Sequence, residues 1–336
     1  MKVMLLNPQA IDAGIGDLPC AAFREFEHIA RCSRNSHFAL TLQAEEADLI
    51  LAPIQFNGYG LFFRKLRQSA FYRHHQSRVY VYCPDDNVYP SIPGVYPSVS
   101  HDFVQANWAR AGHYLSSHIH KFDFRAVPVV EKDIECSFAG STYTHAIRRE
   151  IAALGNQGVT VFDASASAQT PWYSQASTQV EDARMRFREI LERSRFTICP
   201  RGEAPSSIRL FEAMQASCVP IIVSDAQVLP HGPQWESCSI RVPESEVTRI
   251  PEHIAAFRER ASQMGTAARQ EWERYFAPET GFETICRALE SIHASIEPNR
   301  VQRERGIAFR KYGKLNNLRA LCRDWKSRLQ ATDQQD

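Results

Sequence analysis

Apolar and polar positions alternate along the chain in blocks that read as strands followed by helices. "KVMLLN" is a short continuous apolar run, as expected of a buried strand. In "CAAFREFEHIARCS" the residues Phe23, Phe26 and Ile29–Ala30 recur at helical spacing and predict an amphipathic helix. "EEADLILAPI" and "RVYVYCP" are further strand-like runs, each stopped by proline, and the second opens into the polar turn Asp85-Asp86-Asn87. "YPSIPGVYPSVS" is too rich in proline and glycine for a helix and is expected to be a loop beyond a strand end, where parallel sheets bind ligands.

The alternation resumes near residue 133. "IECSFAGS", "GVTVFDAS", "RFTICP" and "VPIIVSD" read as strands, and "SIRVPES" as a short one. "THAIRREIAAL", "EDARMRFREILERS" and "SSIRLFEAMQA" read as the helices between them. "IPEHIAAFRERASQMGTAARQEWERYF" is expected to be helical except around Gly265. Strand–helix alternation of this kind predicts an α/β fold with parallel sheets. Two such blocks in 336 residues predict two Rossmann-like domains facing a cleft, over residues 1–132 and 133–290, with a tail at 291–336.

Composition narrows the function classes. The chain is 44% hydrophobic and 23% charged with a formal charge of +1, so no global field favours nucleic acid. The nine cysteines are scattered singly with no CxxC pair, which predicts reduced thiols rather than a disulfide framework or a zinc site. The start "MKVMLLNP" has no signal-peptide pattern and no apolar run approaches a membrane span, so a cytoplasmic location is expected. His113, His118 and His120 cluster without a carboxylate or cysteine at ligand spacing, and no metal is expected there. "YRHHQSR" reads as a solvated helix end. Arg300–Arg328 is strongly basic, with Leu318, Leu321, Trp325 and Leu329 at helical spacing. It is expected to be a helical tail packing back on the body, with peripheral contact with an anionic inner membrane face left open.

Candidate chemistry concentrates in "FTICPRGEAPSSIRLFEAMQASCVPIIVSD", residues 196–225. Ser206 or Ser207 is placed to cap a helix whose N-terminus attracts anions. Gly202 is expected to permit a tight turn or close approach to a ligand. Arg201 and Arg209 can grip phosphate through forked hydrogen bonds. Glu212, three residues after Arg209, shares its helix face and can accept from vicinal ribose hydroxyls. Two readings are open: a nucleotide-diphosphate site, or an Arg209–Glu212 surface ion pair with Arg201 solvated.

The stretch "CPRGEAPSSIRLFEAMQASCVPIIVSDAQVLP" resembles the signature of the exostosin family of glycosyltransferases (family 47-like, in a bacterial form). "EEADLILAP" and "CSFAGSTYTHAIRREI" resemble its flanking motifs, so the resemblance covers residues 45–53 and 135–245. It implies a GT-B fold, a nucleotide-sugar donor, UDP-linked in the family, on the C-terminal domain, and a glycan or lipid-linked acceptor on the other. It also implies inverting transfer without a metal or other cofactor. Matched to the motif, Arg201, Ser207, Arg209 and Glu212 are the donor-site residues. Ser217 departs from the family's usual glycine or alanine, and His231 from a frequent aromatic. Inverting transfer needs a base for the acceptor hydroxyl. Asp85 and Asp86 stand at a strand end suited to that role, with Asp102 and His101 next, although a plain turn is the preferred reading of "PDDN" for either aspartate taken singly. A non-catalytic protein that binds a nucleotide sugar or glycan for a partner enzyme is the alternative.

Overall fold

The computed structural model describes residues 1–17, 19–34, 37–55, 61–86, 88–104, 107–115, 124–164 and 178–295. Two parallel sheets account for its core. The first contains β1 (Lys2–Leu5), β2 (Ala39–Leu40), β3 (Leu49–Pro53), β4 (Val79–Tyr82), β5 (Gly94–Val95) and β6 (Ala109–Arg110), in the order β2-β1-β3-β4-β5-β6. All its pairings are parallel. The central strands β3 and β4 are buried at every position, which is why their sequences are continuous apolar runs rather than alternating ones.

The strands predicted at both ends of this unit are present, but the "YPSIPGVYPSVS" segment is not wholly loop. It contains β5, two residues long, and β6 follows it. A Cβ on Gly94 would stand 2.0 Å from the Val81 carbonyl oxygen, so glycine lets β5 approach β4. Two-residue strands carry no period to read, and proline flanks hide them.

The second sheet contains β7 (Ile134–Gly140), β8 (Thr160–Asp163), β9 (Ser194–Pro200), β10 (Val219–Val223) and β11 (Ile240–Arg241), in the order β11-β10-β9-β7-β8. Again every pairing is parallel. Both orders are doubly wound. In each sheet the connections depart in opposite directions at one strand pair, β1/β3 in the first and β7/β9 in the second.

The helices are α1 (Ala21–Cys32), α2 (Leu61–Gln68), α3 (Ala70–His75), α4 (Ala146–Ala153), α5 (Thr178–Arg193), α6 (Ile208–Gln215), α7 (Trp235–Cys238), α8 (Ile250–Phe257), α9 (Ala261–Tyr275) and α10 (Pro278–Ser295). In α1 the residues turned to the core are Ala22, Phe26 and Ile29. His75, at the end of α3, is buried and bonded to Arg78 Nη2 at 3.0 Å, which corrects the expectation of a solvated end.

The break expected at Gly265 lies instead at the 3-10 turn Arg258–Arg260, and Gly265 sits inside α9. Its Cβ would stand 2.4 Å from Val129 Cγ2 and 2.7 Å from the Ser217 carbonyl oxygen, so this glycine serves close packing. Ser217 itself has φ 57 and follows α6. Cys218 N–H donates to the Ala213 carbonyl at 2.8 Å and Ser217 N–H to the Met214 carbonyl at 3.1 Å, a Schellman end. A left-handed backbone costs a residue with a side chain about 1–2 kcal/mol that glycine would not meet.

The compact units also differ from the expected 1–132 and 133–290. The first comprises Met1–Gly112, Val228–Pro230 and the described residues from Pro278; the second comprises His113–Gln227 and His231–Ala277. Helix α10 joins the first unit. Its residues meet it through Arg110 Nη2 donating to Ser291 Oγ at 2.6 Å, a Tyr80 Oη–His293 Nδ1 hydrogen bond of 2.8 Å and a His37–Glu290 pair at 3.2 Å. Residues Arg300–Arg328, with both readings of the tail, lie outside the described residues, as do His118 and His120.

His113 is fully buried beside the rings of Phe211 and Phe276, with centroids 6.2 and 5.0 Å away. Burial lowers its pKa from 6.5 to about 3. The unfolded chain therefore takes up a proton below pH 6.5 that the folded chain refuses until about pH 3. Stability is complete above pH 6.5 and falls as pH drops, by about 1.4 kcal/mol per pH unit for this one group. His75, also lowered by burial, adds a contribution of the same sign. Urea midpoints measured between pH 7 and pH 4 should fall steeply, and His113→Phe should flatten the slope by one proton. An unchanged slope in that variant would show that His113 does not govern the acid limb.

Candidate functional site

Doubly wound sheets leave a crevice at the C-terminal ends of the strands where the connections diverge. In the second sheet that is β7/β9, and a cavity of about 130 Å³ lies there. Its floor is the end of β7, Phe138 to Gly140, with Ser141 beyond it and Pro200 at the end of β9. Ala164, Phe187 of α5, and Ser207, Ile208 and Arg209 at the start of α6 complete the wall with Arg148.

The α6 N-terminus opens on this space. Ser207 is the N-cap residue, yet its side chain makes no capping hydrogen bond, contrary to the capping expectation. The residue lines the cavity. Ser206 is buried and its Oγ accepts from Gln227 Nε2 at 3.3 Å, so it joins the β10 loop to α6. Gly202 does not have a positive φ, and a Cβ there would meet Arg148 Nη2 at 3.5 Å and Thr144 Oγ1 at 3.6 Å, which are ordinary contacts. No tight-turn requirement follows for it.

Arg209 is held from several sides. Its Nε donates to the Ala139 carbonyl at 3.0 Å, its Nη1 donates to Glu212 Oε2, and its guanidinium carbon lies 3.8 Å from the Phe187 ring centroid. The side chains are 13% and 1% exposed. This is no surface ion pair. Glu212 is also not among the residues lining the cavity. Arg201 lies 3.5 Å from Glu244; Asp225 N–H donates to the Glu244 carboxylate at 3.0 Å and Glu244 N–H to the Asp225 carboxylate at 3.1 Å. The loops after β9, β10 and β11 are thereby tied together.

Arg148 was not singled out by residue chemistry, yet it organises the rim. Its guanidinium donates to the carbonyls of Arg201 at 2.7 Å, Ser141 at 3.1 Å and Pro200 at 3.1 Å. It thus joins the ends of β7 and β9 across the switch point. One signal was available. Arg148 sits in the first turn of α4, where the helix dipole disfavours a cation, so some other contact must hold it.

Asp85, Asp86 and Asp102 belong to the first unit, the first two shortly after β4 and Asp102 in the segment between β5 and β6. Asp86 Oδ1 accepts from Ser98 Oγ at 3.2 Å, joining the two loops. Asp102 lies 3.6 Å from His101, and its backbone N–H donates to Ser100 Oγ at 3.4 Å. Among the described residues, no group of three or more His, Cys, Asp or Glu side chains could hold a metal ion. Eight cysteines there are free, and burial pushes the thiols of Cys136, Cys199 and Cys286 up, so they stay protonated. No helix among the described residues is long and apolar enough to cross a membrane.

Comparison with known proteins bears on this same region. A family model described as the Exostosin GT47 domain matches residues 118–257. The exostosin-1 homolog of Caenorhabditis elegans is 33% identical over 95 residues, 27% of this chain and 25% of that protein. A probable glucuronoxylan glucuronosyltransferase of Arabidopsis thaliana is 39% identical over 75 residues, 21% of this chain and 16% of that protein. Among solved structures, TarM aligns over 74% of this chain and 55% of its own, with 11% identity and a TM-score of 0.41. The match spans about a quarter or less of each of these two curated relatives. The chain is exostosin-like: residues 118–257 are similar to the Exostosin GT47 domain, and every residue named around the cavity lies within that match.

Proposed function

We propose that the chain is a GT-B glycosyltransferase that takes a sugar from a nucleotide donor, UDP-linked by family analogy, and passes it to a glycan or lipid-linked acceptor with inversion. The observation that carries this reading is the cavity at the β7/β9 switch point, where the α6 N-terminus, Ser207 and Arg209 converge within the GT47 match. Donor diphosphate would lie against Ser207 and Arg209, with Arg201 closing on it from the neighbouring loop. Positive charge and a helix dipole there stabilise the charge that develops on the leaving diphosphate. Gly202 and Ser206 shape the loop, and Glu212 meets the ribose or holds Arg209 for the phosphate.

The first unit would carry the acceptor. The acceptor proton would pass to Asp85, Asp86 or Asp102, the carboxylates of the segments that follow β4 and β5. Arginines and a helix dipole do the work that a divalent ion does elsewhere, so the reaction is expected to need no metal.

Titration with UDP, followed by assay of UDP-sugar hydrolysis with and without EDTA, tests the reading. Saturable UDP binding with slow hydrolysis that survives chelation is the expected result. Binding without turnover of any nucleotide sugar would assign the chain to a non-catalytic nucleotide-sugar-binding role. Activity lost to EDTA and restored by magnesium or manganese would overturn metal independence.

A further inference from the structure

Helix α4 starts on a residue whose capping atom titrates. His145 has the extended backbone of an N-cap, φ −158 and ψ 149, and its ring Nδ1 accepts from the Ile147 N–H at 3.3 Å. Its carbonyl accepts from the Arg148 N–H at 3.2 Å. Serine, threonine, asparagine and aspartate are the usual caps, and none of them changes its acceptor near neutral pH. Histidine does. A backbone N–H can only donate, so the capping ring is unprotonated at Nδ1 and its proton sits on Nε2. A second proton turns Nδ1 into a donor facing a donor. It also sets a cation at the positive end of the α4 dipole.

The surrounding groups favour the capping form. Burial lowers the His145 pKa, and Arg201 and Arg148 lower it further, while Glu244 and Glu150 oppose them. Glu244 is shared with Arg201, 3.5 Å away. Glu246 and Arg249, from the segment packed on α4, pair with each other at 3.3 Å. The folded-state pKa therefore lies below the ordinary 6.5. The cap is complete at neutral pH and is lost as pH falls through the folded value.

What this cap positions is Arg148, which leaves the first turn of α4 and donates to the carbonyls of Ser141, Pro200 and Arg201. We propose that His145 is a positioning residue for the loop after β9. Neutral, it caps α4 and holds Arg148 on the three carbonyls; protonated, it releases the first turn and loosens the loop. That acid thereby weakens donor binding rests on the reading given above; the coupling of His145 to the loop does not.

The test compares wild type, His145→Asn and His145→Ala between pH 7 and pH 4.5. Asparagine caps a helix and does not titrate. Amide hydrogen exchange is read at Ile147, the capped N–H, and at Arg201, whose N–H donates to the Val223 carbonyl at 3.0 Å. As His145 protonates, Ile147 should lose protection about fivefold relative to His145→Asn, the typical worth of one cap, and Arg201 should follow in the same direction. His145→Ala should show both losses at every pH. In the wild type the Ile147 amide shift must also track the titration of the His145 ring, a check that needs no variant. UDP affinity is read as the ratio of wild type to His145→Asn, because the ligand's terminal phosphate itself titrates at about pH 6. That ratio should fall in acid. Equal protection in wild type and His145→Asn at every pH would overturn the proposal, and so would a loss confined to Ile147. A UDP ratio that rises in acid would make His145 a direct phosphate contact and overturn it as well. If both amides respond but no form of the protein binds UDP, the donor-site reading fails and the positioning role stands.

Discussion

Arg209→Ala is expected to destabilise the second unit severely before it says anything about donor binding. Glu212 is 1% exposed, and Arg209 is its charged partner. Removing one member of a buried pair leaves an uncompensated charge and costs about 3–5 kcal/mol. In a unit of this size that lowers the melting temperature by roughly ten degrees. Glu212→Ala is not harmless either, because it strands a guanidinium that is only 13% exposed. A variant that keeps the fold must change both residues. Arg209→Met with Glu212→Leu should recover most of the lost stability, since an apolar pair of similar volume replaces a buried ion pair at little cost. Refolded in this way, the protein should still bind UDP more weakly, by about 1–3 kcal/mol for the lost charge-assisted hydrogen bonds. Calorimetric melting and UDP titration of the single and double variants check both halves. A stable Arg209→Ala protein would deny the buried pair, and undiminished UDP affinity in the double variant would remove Arg209 from the donor site.

The distinction between pair and site was not legible in sequence. Spacing placed Arg209 and Glu212 on one helix face, and the structure agrees, but periodicity cannot tell a buried face from a wet one on a helix of eight residues. Six of those eight, including Glu212 and Gln215, are buried, so polar identity misled where burial decides. Strands were legible wherever the sheet buries both faces, as in "LILAP" and "VPIIV", because a continuous apolar run needs no partner to be recognised. Short strands such as Gly94–Val95 were not, since the close approach that glycine permits there is to a carbonyl of the preceding strand, that of Val81. Gly265 shows the same limit: its reason is the Ser217 carbonyl, a contact between residues 48 apart that no local pattern encodes. Likewise, the cluster of basic and hydroxyl residues at 201–209 was visible, while Arg148, which fixes the loop carrying them, was not.

Arg148 supports the second large effect. Three backbone carbonyls, those of Ser141, Pro200 and Arg201, accept from one guanidinium at 2.7 to 3.1 Å. These groups end β7 and β9 and begin the Pro-Arg-Gly loop, where no further strand pairing is available to them. Hydrogen bonds from a charged donor are worth about 1.5–3 kcal/mol each, so Arg148→Ala should cost at least about 3 kcal/mol in denaturant unfolding. The loss should be local as well as global. With the guanidinium gone, the loop that presents Arg201 and leads to Ser207 is no longer tied to β7, and UDP affinity should fall even at temperatures where the variant is fully folded. Lysine is not a conservative replacement, because a single ammonium on a flexible stem cannot span three carbonyls in a planar fork. Arg148→Lys should therefore recover less than half of the lost stability, and added guanidinium ion at low, non-denaturing concentration should restore UDP binding to the alanine variant better than to the lysine one. Equal UDP affinity in folded wild type and folded Arg148→Ala would mean that the donor loop holds its shape without this arginine, and the cavity's geometry would then have to come from α6 alone.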